Sequence, residues 1–194
     1  MVKRICVFCG SSSGTRPIYA AAAVSLAQCL AAKKIGIVFG GGKVGLMGVL
    51  ADGAMAAGGT VTGIMPRALV EKEICHRGLT ELRVVGSMHE RKAMMAEMSD
   101  AFIAMPGGYG TFEEFCEALT WTQLGLHRKP CGLLNVDGYY DSLLALFDRA
   151  AGEGFLNAVY RGMVIADSDP ERLVARLADC EVPAIDKWIG PRQA

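Results

Sequence analysis

Ala101-Phe-Ile-Ala-Met-Pro-Gly-Gly-Tyr-Gly-Thr-Phe-Glu-Glu114 decides how this chain folds. The run Ala101–Met105 is apolar without interruption, as in a strand covered on both faces. Pro106-Gly107-Gly108 breaks it, and a helical period follows from Thr111.

The same unit recurs in both directions. Strands are expected at Ile5–Phe8, Ile35–Phe39, Thr60–Met65, Leu82–Val85, Ala101–Met105, Cys131–Val136 and Met163–Ala166. Helices are expected between them at Ile18–Ala32, Leu46–Ala57, Met88–Met98, Thr111–Leu124, Tyr140–Ala151 and Pro170–Ala178. Continuous apolar strands alternating with helices predict an α/β fold, a Rossmann-like doubly wound parallel sheet flanked by helices. Pro17 suits a first helical turn, Gly58-Gly59 stops a helix, and Ser87-x-x-Glu90 is a capping box. No linker or low-complexity tract divides the 194 residues. The chain reads as a single domain over residues 1–181, long enough to hide roughly 70% of its unfolded surface. An irregular tail, 182–194, follows, with Trp188 suited to anchor it.

Lys+Arg and Asp+Glu both number 20, so the chain lacks the basic excess that nucleic-acid binders need, and no nucleic-acid partner is expected. The seven cysteines are scattered through apolar segments, unlike a secreted disulfide framework. Cys6-x-x-Cys9 has no second Cys/His pair at ligand spacing, which favours packing over redox or metal chemistry. The N-terminal apolar run is too short for a signal segment or a membrane span, and Ser25 and Gln28 interrupt Ala20–Ala32. These features together predict a cytoplasmic protein without a membrane partner. A hydrophobic content of 52% has to be accommodated in a sheet, a core or a subunit interface.

Three strands end in turns of small residues: Cys9-Gly10-Ser11-Ser12-Ser13-Gly14, Gly40-Gly41-Gly42-Lys43-Val44-Gly45 and Pro106-Gly107-Gly108-Tyr109-Gly110-Thr111. Ligands of open α/β sheets bind at the carboxyl ends of the strands, where helix N-termini offer free N–H groups to an anion. Gly10, Gly41, Gly42, Gly107, Gly108 and Gly110 let backbone approach a phosphate, and Ser11, Ser12 and Thr111 add hydroxyls. Glycine is also the ordinary residue of tight βα connections, so a single turn says little and three together say more. Gly40-x-Gly42-x-x-Gly45 matches the dinucleotide fingerprint, but the next strand runs into Pro66 without the ribose-binding acid. No segment reads as a P-loop.

Glu113 and Glu114 stand at the start of a helix, as does the charged run Met88-His89-Glu90-Arg91-Lys92. A capping box, Thr111-x-x-Glu114, and a solvated charge run account for them structurally. Chemically, a carboxylate beside a sugar stabilises an oxocarbenium-like ribosyl cation and orients or deprotonates water. An arginine neutralises a phosphate or a departing base. Glu114 and Arg91 suit those tasks in N-glycosidic cleavage.

Met88-His-Glu-Arg91-Lys92 followed by Pro106-Gly-Gly-Tyr-Gly-Thr-Phe-Glu-Glu114 resembles the LONELY GUY (LOG) family, the cytokinin riboside 5′-monophosphate phosphoribohydrolases. The resemblance runs from Cys9-Gly-Ser-Ser through Gly40-Gly-Gly and Leu133-Leu-Asn-Val-Asp-Gly-Tyr-Tyr140 to Glu153-Gly-Phe155. It implies that Arg91 and Glu114 are catalytic, that Gly107, Gly108, Gly110 and Thr111 hold the phosphate of a purine nucleoside 5′-monophosphate, and that Lys92 and Glu113 assist. It also implies homodimers or larger homo-oligomers, with the base and its N6 substituent near the subunit boundary. Met88, Met94 and Met95 are candidates for an apolar wall around that substituent, with ordinary core packing as the alternative. His76, His89 and His127 are scattered, and no metal or other cofactor is expected. Two readings compete. One is a lysine decarboxylase, disfavoured because nothing singles out a Schiff-base lysine and because Lys43 and Lys92 read as phosphate neighbours or solvated charges. The other is a Rossmann-like protein that binds a nucleotide or cofactor without cleaving it.

Overall fold

The computed structural model describes residues 1–72 and 75–183. The tail expected at 182–194, Trp188 included, lies outside the described residues from 184 onward.

All seven expected strands form, and among the described residues they make one parallel sheet. They are β1 (Arg4–Phe8), β2 (Gly36–Phe39), β3 (Val61–Pro66), β4 (Glu81–Val85), β5 (Ala101–Ala104), β6 (Cys131–Leu134) and β7 (Val164–Asp167). Their order is β4-β3-β2-β1-β5-β6-β7. Successive crossovers carry the chain outward from β1 to β4, and it then returns to lay β5 against the other side of β1. The switch point therefore lies between β1 and β5, and the turns after these two strands flank it.

The helices are α1 (Pro17–Ala32), α2 (Gly45–Ala56), α3 (Arg67–Val70), α4 (Met88–Glu97), α5 (Tyr109–Gln123), α6 (Asp141–Gly152), α7 (Ala158–Arg161) and α8 (Pro170–Ala178). Side chains alternate across the sheet as the pleat requires. Ile5 and Val7 join one core with Leu26, Leu50 and Leu173 from α1, α2 and α8, whereas Cys6 and Phe8 join the other with Met95, Phe115 and the buried Tyr140. Cys6 and Cys9 thus point into different cores, and the C-x-x-C spacing makes no pair. Pro17 opens α1, and Gly58 at φ +76° follows the end of α2. Ser87 Oγ accepts from Glu90 N (3.1 Å), while Glu90 Oε2 accepts from Gly86 N (2.7 Å), one residue earlier than a standard capping box.

Four expectations need correction. β4 is mostly exposed, with only Val85 buried, because it pairs with β3 alone at the sheet edge. β6 stops at Leu134, and Val136–Gly138 forms a 3-10 turn with Asp137 at φ +51°. α5 starts at Tyr109 after an N-cap at Gly108, so Thr111 already lies inside the first turn and the Thr111-x-x-Glu114 capping box does not form. The four-residue helices α3 and α7 are too short to carry a readable period.

Candidate active site

Because all the strands are parallel, the turns after β1, β2 and β5 and the N-termini of α4 and α5 gather at one edge of the sheet. Backbone hydrogen bonds tie the turns together: Gly10 N donates to Pro106 O (3.1 Å) and Leu46 N donates to Gly10 O (3.0 Å). Two close approaches explain why glycine is needed here. A Cβ on Gly107 would stand 2.1 Å from Thr111 Oγ1 and 2.9 Å from Gly10 N. Gly45, at φ +59°, lies so close to Ser11 that a Cβ would fall 2.3 Å from its carbonyl carbon.

A cleft opens above these turns. It is lined by Phe8, Gly10 and Ser11 on the β1 side, by Gly40 and Met47 beyond β2, by Met88 and Arg91 of α4, and by Gly108 to Thr111, Glu113 and Glu114 of α5. Its open space, mouth included, is about 840 Å³, within the roughly 300–1,000 Å³ of small-molecule sites. Arg91 and Glu114 meet on its floor, where Arg91 Nη2 donates to Glu114 Oε1 at 3.3 Å. Arg91 also points Nη1 at Met88 Sδ (3.8 Å), and its Nε is buried without a partner. A Cβ on Gly40 would sit 2.1 Å from Arg91 Nη2, so the absent side chain at Gly40 is what admits the guanidinium.

Burial holds the Glu114 carboxyl above the ordinary carboxylate range. Arg91 and Lys92 oppose that shift and Glu113 adds to it. A carboxylate raised in this way is a better proton acceptor than a solvated one. Beside it, the first four N–H groups of α5 have no intrahelical partner and carry the positive end of the helix dipole.

The remaining expected residues fall in distinct places. Ser12 and Gly107 line a second lobe with Ser13, Tyr19, Leu46 and Tyr139, contiguous with the cleft through Gly10, Ser11 and Gly108. Gly41 and Gly42 do not line the cleft; Gly41 packs on Gly63 and Ile64, and Gly42 on Met47. Lys92 joins α4 to α5 through Glu113 (2.5 Å) and Glu117 (2.9 Å), and these bonds raise its pKa. A Schiff-base lysine needs the opposite shift, toward the neutral amine. Met95 is buried and Met94 packs against the core, so the apolar wall of the cleft is Met88 with Met47. Met47 had no signal in the sequence, because the approach of α2 to the cleft depends on the Gly45 turn. Among the described residues no three His, Cys, Asp or Glu side chains are grouped to hold a metal ion, and no helix is long and apolar enough to cross a membrane.

The family described as possible lysine decarboxylase matches this chain over residues 47–177. A cytokinin riboside 5′-monophosphate phosphoribohydrolase of Arabidopsis thaliana is 49% identical over 185 residues, covering 95% of this chain and 85% of the relative. A second from the same plant is 51% identical over 175 residues, 90% of this chain and 77% of the relative. Among solved structures, the molybdenum cofactor binding protein of Rippkaea orientalis superposes with a TM-score of 0.69 at 25% identity, covering 92% of this chain and 96% of that one. The molybdenum cofactor carrier protein of Chlamydomonas reinhardtii also reaches 0.69, at 21% identity, over 93% of this chain and 100% of its own, a likeness of fold alone.

Proposed function

The chain belongs to the LOG family of cytokinin riboside 5′-monophosphate phosphoribohydrolases, and on that premise we propose that it hydrolyses the N-glycosidic bond of adenosine 5′-monophosphate or its N6-modified forms. Water attacks C1′ of the ribose as the bond from C1′ to the purine nitrogen breaks; the products are the free base, which gains a proton, and ribose 5-phosphate. The observation that carries this reading is the buried pair of Arg91 and Glu114 beside the free N-terminus of α5.

The phosphate occupies the turn at Gly108 to Thr111, where backbone N–H groups and the Thr111 hydroxyl face a dianion. That anchor sets the ribose over Glu114. Its carboxylate stabilises positive charge growing at C1′ and takes a proton from the attacking water. Arg91 holds Glu114 in place and neutralises charge on the departing base. Glu113 and Lys92 support the pair as a brace between α4 and α5, and Met47 and Met88 offer the base a deformable thioether surface. The enzyme acts in the cytoplasm as a homodimer. The support for that is the scatter of its seven cysteines through apolar segments, unlike a secreted disulfide framework, and exposed Leu124 and Leu126 beside Trp121 at the end of α5.

The fold is shared with the molybdenum cofactor binding protein of Rippkaea orientalis, which gives weight to binding without turnover as a second reading. Incubation with adenosine 5′-monophosphate and with an N6-substituted analogue, followed by chromatography of the products, separates the two. Stoichiometric free base and ribose 5-phosphate are expected; binding with no released base would leave only the second reading.

A further inference from the structure

Three successive carbonyl groups in the turn from β5 to α5 are each held by a different donor. Tyr140 Oη donates to Met105 O (2.6 Å), Gly10 N to Pro106 O (3.1 Å) and Tyr139 Oη to Gly107 O (2.5 Å). Both tyrosines lie in the connection after β6, which Asn135 fixes by accepting from Tyr140 N at Oδ1 (2.7 Å) and donating to Asp141 from Nδ2 (2.7 Å). The two rings stand perpendicular at 5.1 Å, and Tyr139 meets Tyr19 edge-on at 5.8 Å. Burial pushes the Tyr140 phenol pKa upward, so that hydroxyl remains a donor.

Peptide geometry decides what each bond does. In a planar trans peptide, a carbonyl and the N–H of the next residue point in opposite directions. Capturing the Gly107 carbonyl therefore fixes the direction of the Gly108 N–H, one of the unpaired donors at the start of α5. Tyr139 and Gly107 line the second lobe, which Arg91 and Glu114 do not reach. The Gly108 N–H therefore points away from the Tyr139 hydroxyl, and Gly108 also lines the cleft that holds Arg91 and Glu114. Two adjacent glycines have little preference of their own for the plane of the peptide between them, so an outside bond has to set it. The Met105–Pro106 peptide has no N–H, and the Tyr140 bond orients no donor.

We propose that Tyr139 is a positioning residue for the phosphate subsite, its hydroxyl turning the Gly107–Gly108 peptide so that the Gly108 N–H meets the 5′-phosphate. Tyr140, one residue on and chemically identical, holds the turn without aiming a donor. This rests on the reading above that the phosphate sits at the N-terminus of α5.

Calorimetric titration with ribose 5-phosphate, together with Tm and steady-state kinetics on adenosine 5′-monophosphate, tests it in the full chain and in Tyr139→Phe and Tyr140→Phe. Tyr139→Phe is expected to weaken ribose 5-phosphate and raise KM by about tenfold, as for one lost hydrogen bond to a charged group, with kcat changed less and Tm nearly kept. Tyr140→Phe is expected to lower Tm and leave the affinity within about twofold, because its bond orients no donor. Unchanged affinity in Tyr139→Phe, an equal loss in Tyr140→Phe, or a Tyr139→Phe chain that does not fold would overturn the assignment. If the wild-type chain bound no ribose 5-phosphate, the functional reading would fail and this inference with it; wild-type binding with an unaffected Tyr139→Phe removes this inference alone.

Discussion

Arg91 Nη2 lies 3.3 Å from Glu114 Oε1 across the gap between α4 and α5, and the two side chains are only 11% and 13% exposed. Withdrawing two charges from water can cost more than their attraction returns, and Arg91 Nε is buried without a partner to offset that cost. Glu114 is still held above the ordinary carboxylate range despite the adjacent cation. The pair is thus a poor stabilising device and a suitable reactive one.

Glu114→Gln keeps the shape and removes the charge. Hydrolysis is expected to fall by about 10²-fold or more, the lower bound for losing a positioned acid or base, with Tm held or raised. Arg91→Ala is expected to lose comparable activity and to cost on the order of 3 kcal/mol, because it strands a buried carboxylate. Melting curves should show the double variant recovering part of that loss. Near wild-type turnover in either single variant would remove both residues from the mechanism.

The raised carboxyl of Glu114 ties catalysis and stability to pH in opposite directions. A folded-state pKa above the unfolded value favours the protonated form in the native protein. That stability is fully present below the unfolded pKa and is lost as pH rises through the folded one. The carboxylate required for turnover appears over the same interval. The acid limb of kcat/KM is therefore expected with its midpoint above about 4.3, the unperturbed glutamate value. In that window the Tm of the wild type should fall relative to Glu114→Gln; a midpoint at or below the unperturbed value contradicts this.

Gly40→Ala tests the placement of Arg91 without removing its charge. Its added methyl would fall on the tip of a flexible side chain, Arg91 Nη2, rather than on backbone, and Gly40 does not have a positive φ. A loss of roughly 10²-fold in kcat/KM is expected from the displaced guanidinium, with a drop in Tm no larger than that of Arg91→Ala, since both changes take the cation from Glu114. An active Gly40→Ala enzyme would show that the position of Arg91 is not critical.

Much of this was legible in the sequence because most of the strands are continuous apolar runs and three of them end in glycine turns, which located the strands and the edge where ligands bind. Arg91 and Glu114 were legible as charges at helix starts, and their meeting followed from both helices beginning at that edge. What escaped depended on distances between segments far apart in the chain. Gly40 touches Arg91, Met47 enters the cleft from α2, and Lys92 turns to Glu113 and Glu117 rather than lining the cleft. Thr111 was misplaced as a cap because two small residues, Gly108 and Gly110, hid a helix start at Tyr109.

Association should follow from the exposed end of α5. Leu124 and Leu126 are 55% and 69% exposed, while neighbouring Trp121 packs against the core. Light scattering at micromolar protein is expected to give about twice the 20.6 kDa chain mass, and Leu126→Arg to shift it toward the monomer. A monomer mass for the wild type across that range would exclude this interface.

In the proposed mechanism the N-terminus of α5 holds the 5′-phosphate and thereby places the glycosidic bond against Glu114. A contact remote from the reacting bond spends its binding energy on orientation, so removing it should lower kcat as well as raise KM. The direct measurement is kcat/KM from released base for adenosine, adenosine 5′-monophosphate and adenosine 5′-triphosphate under one set of conditions. The monophosphate is expected to exceed the nucleoside by about 10²-fold or more, with the triphosphate also poorer. Equal values for nucleoside and monophosphate would contradict the phosphate cradle and the substrate assignment built on it.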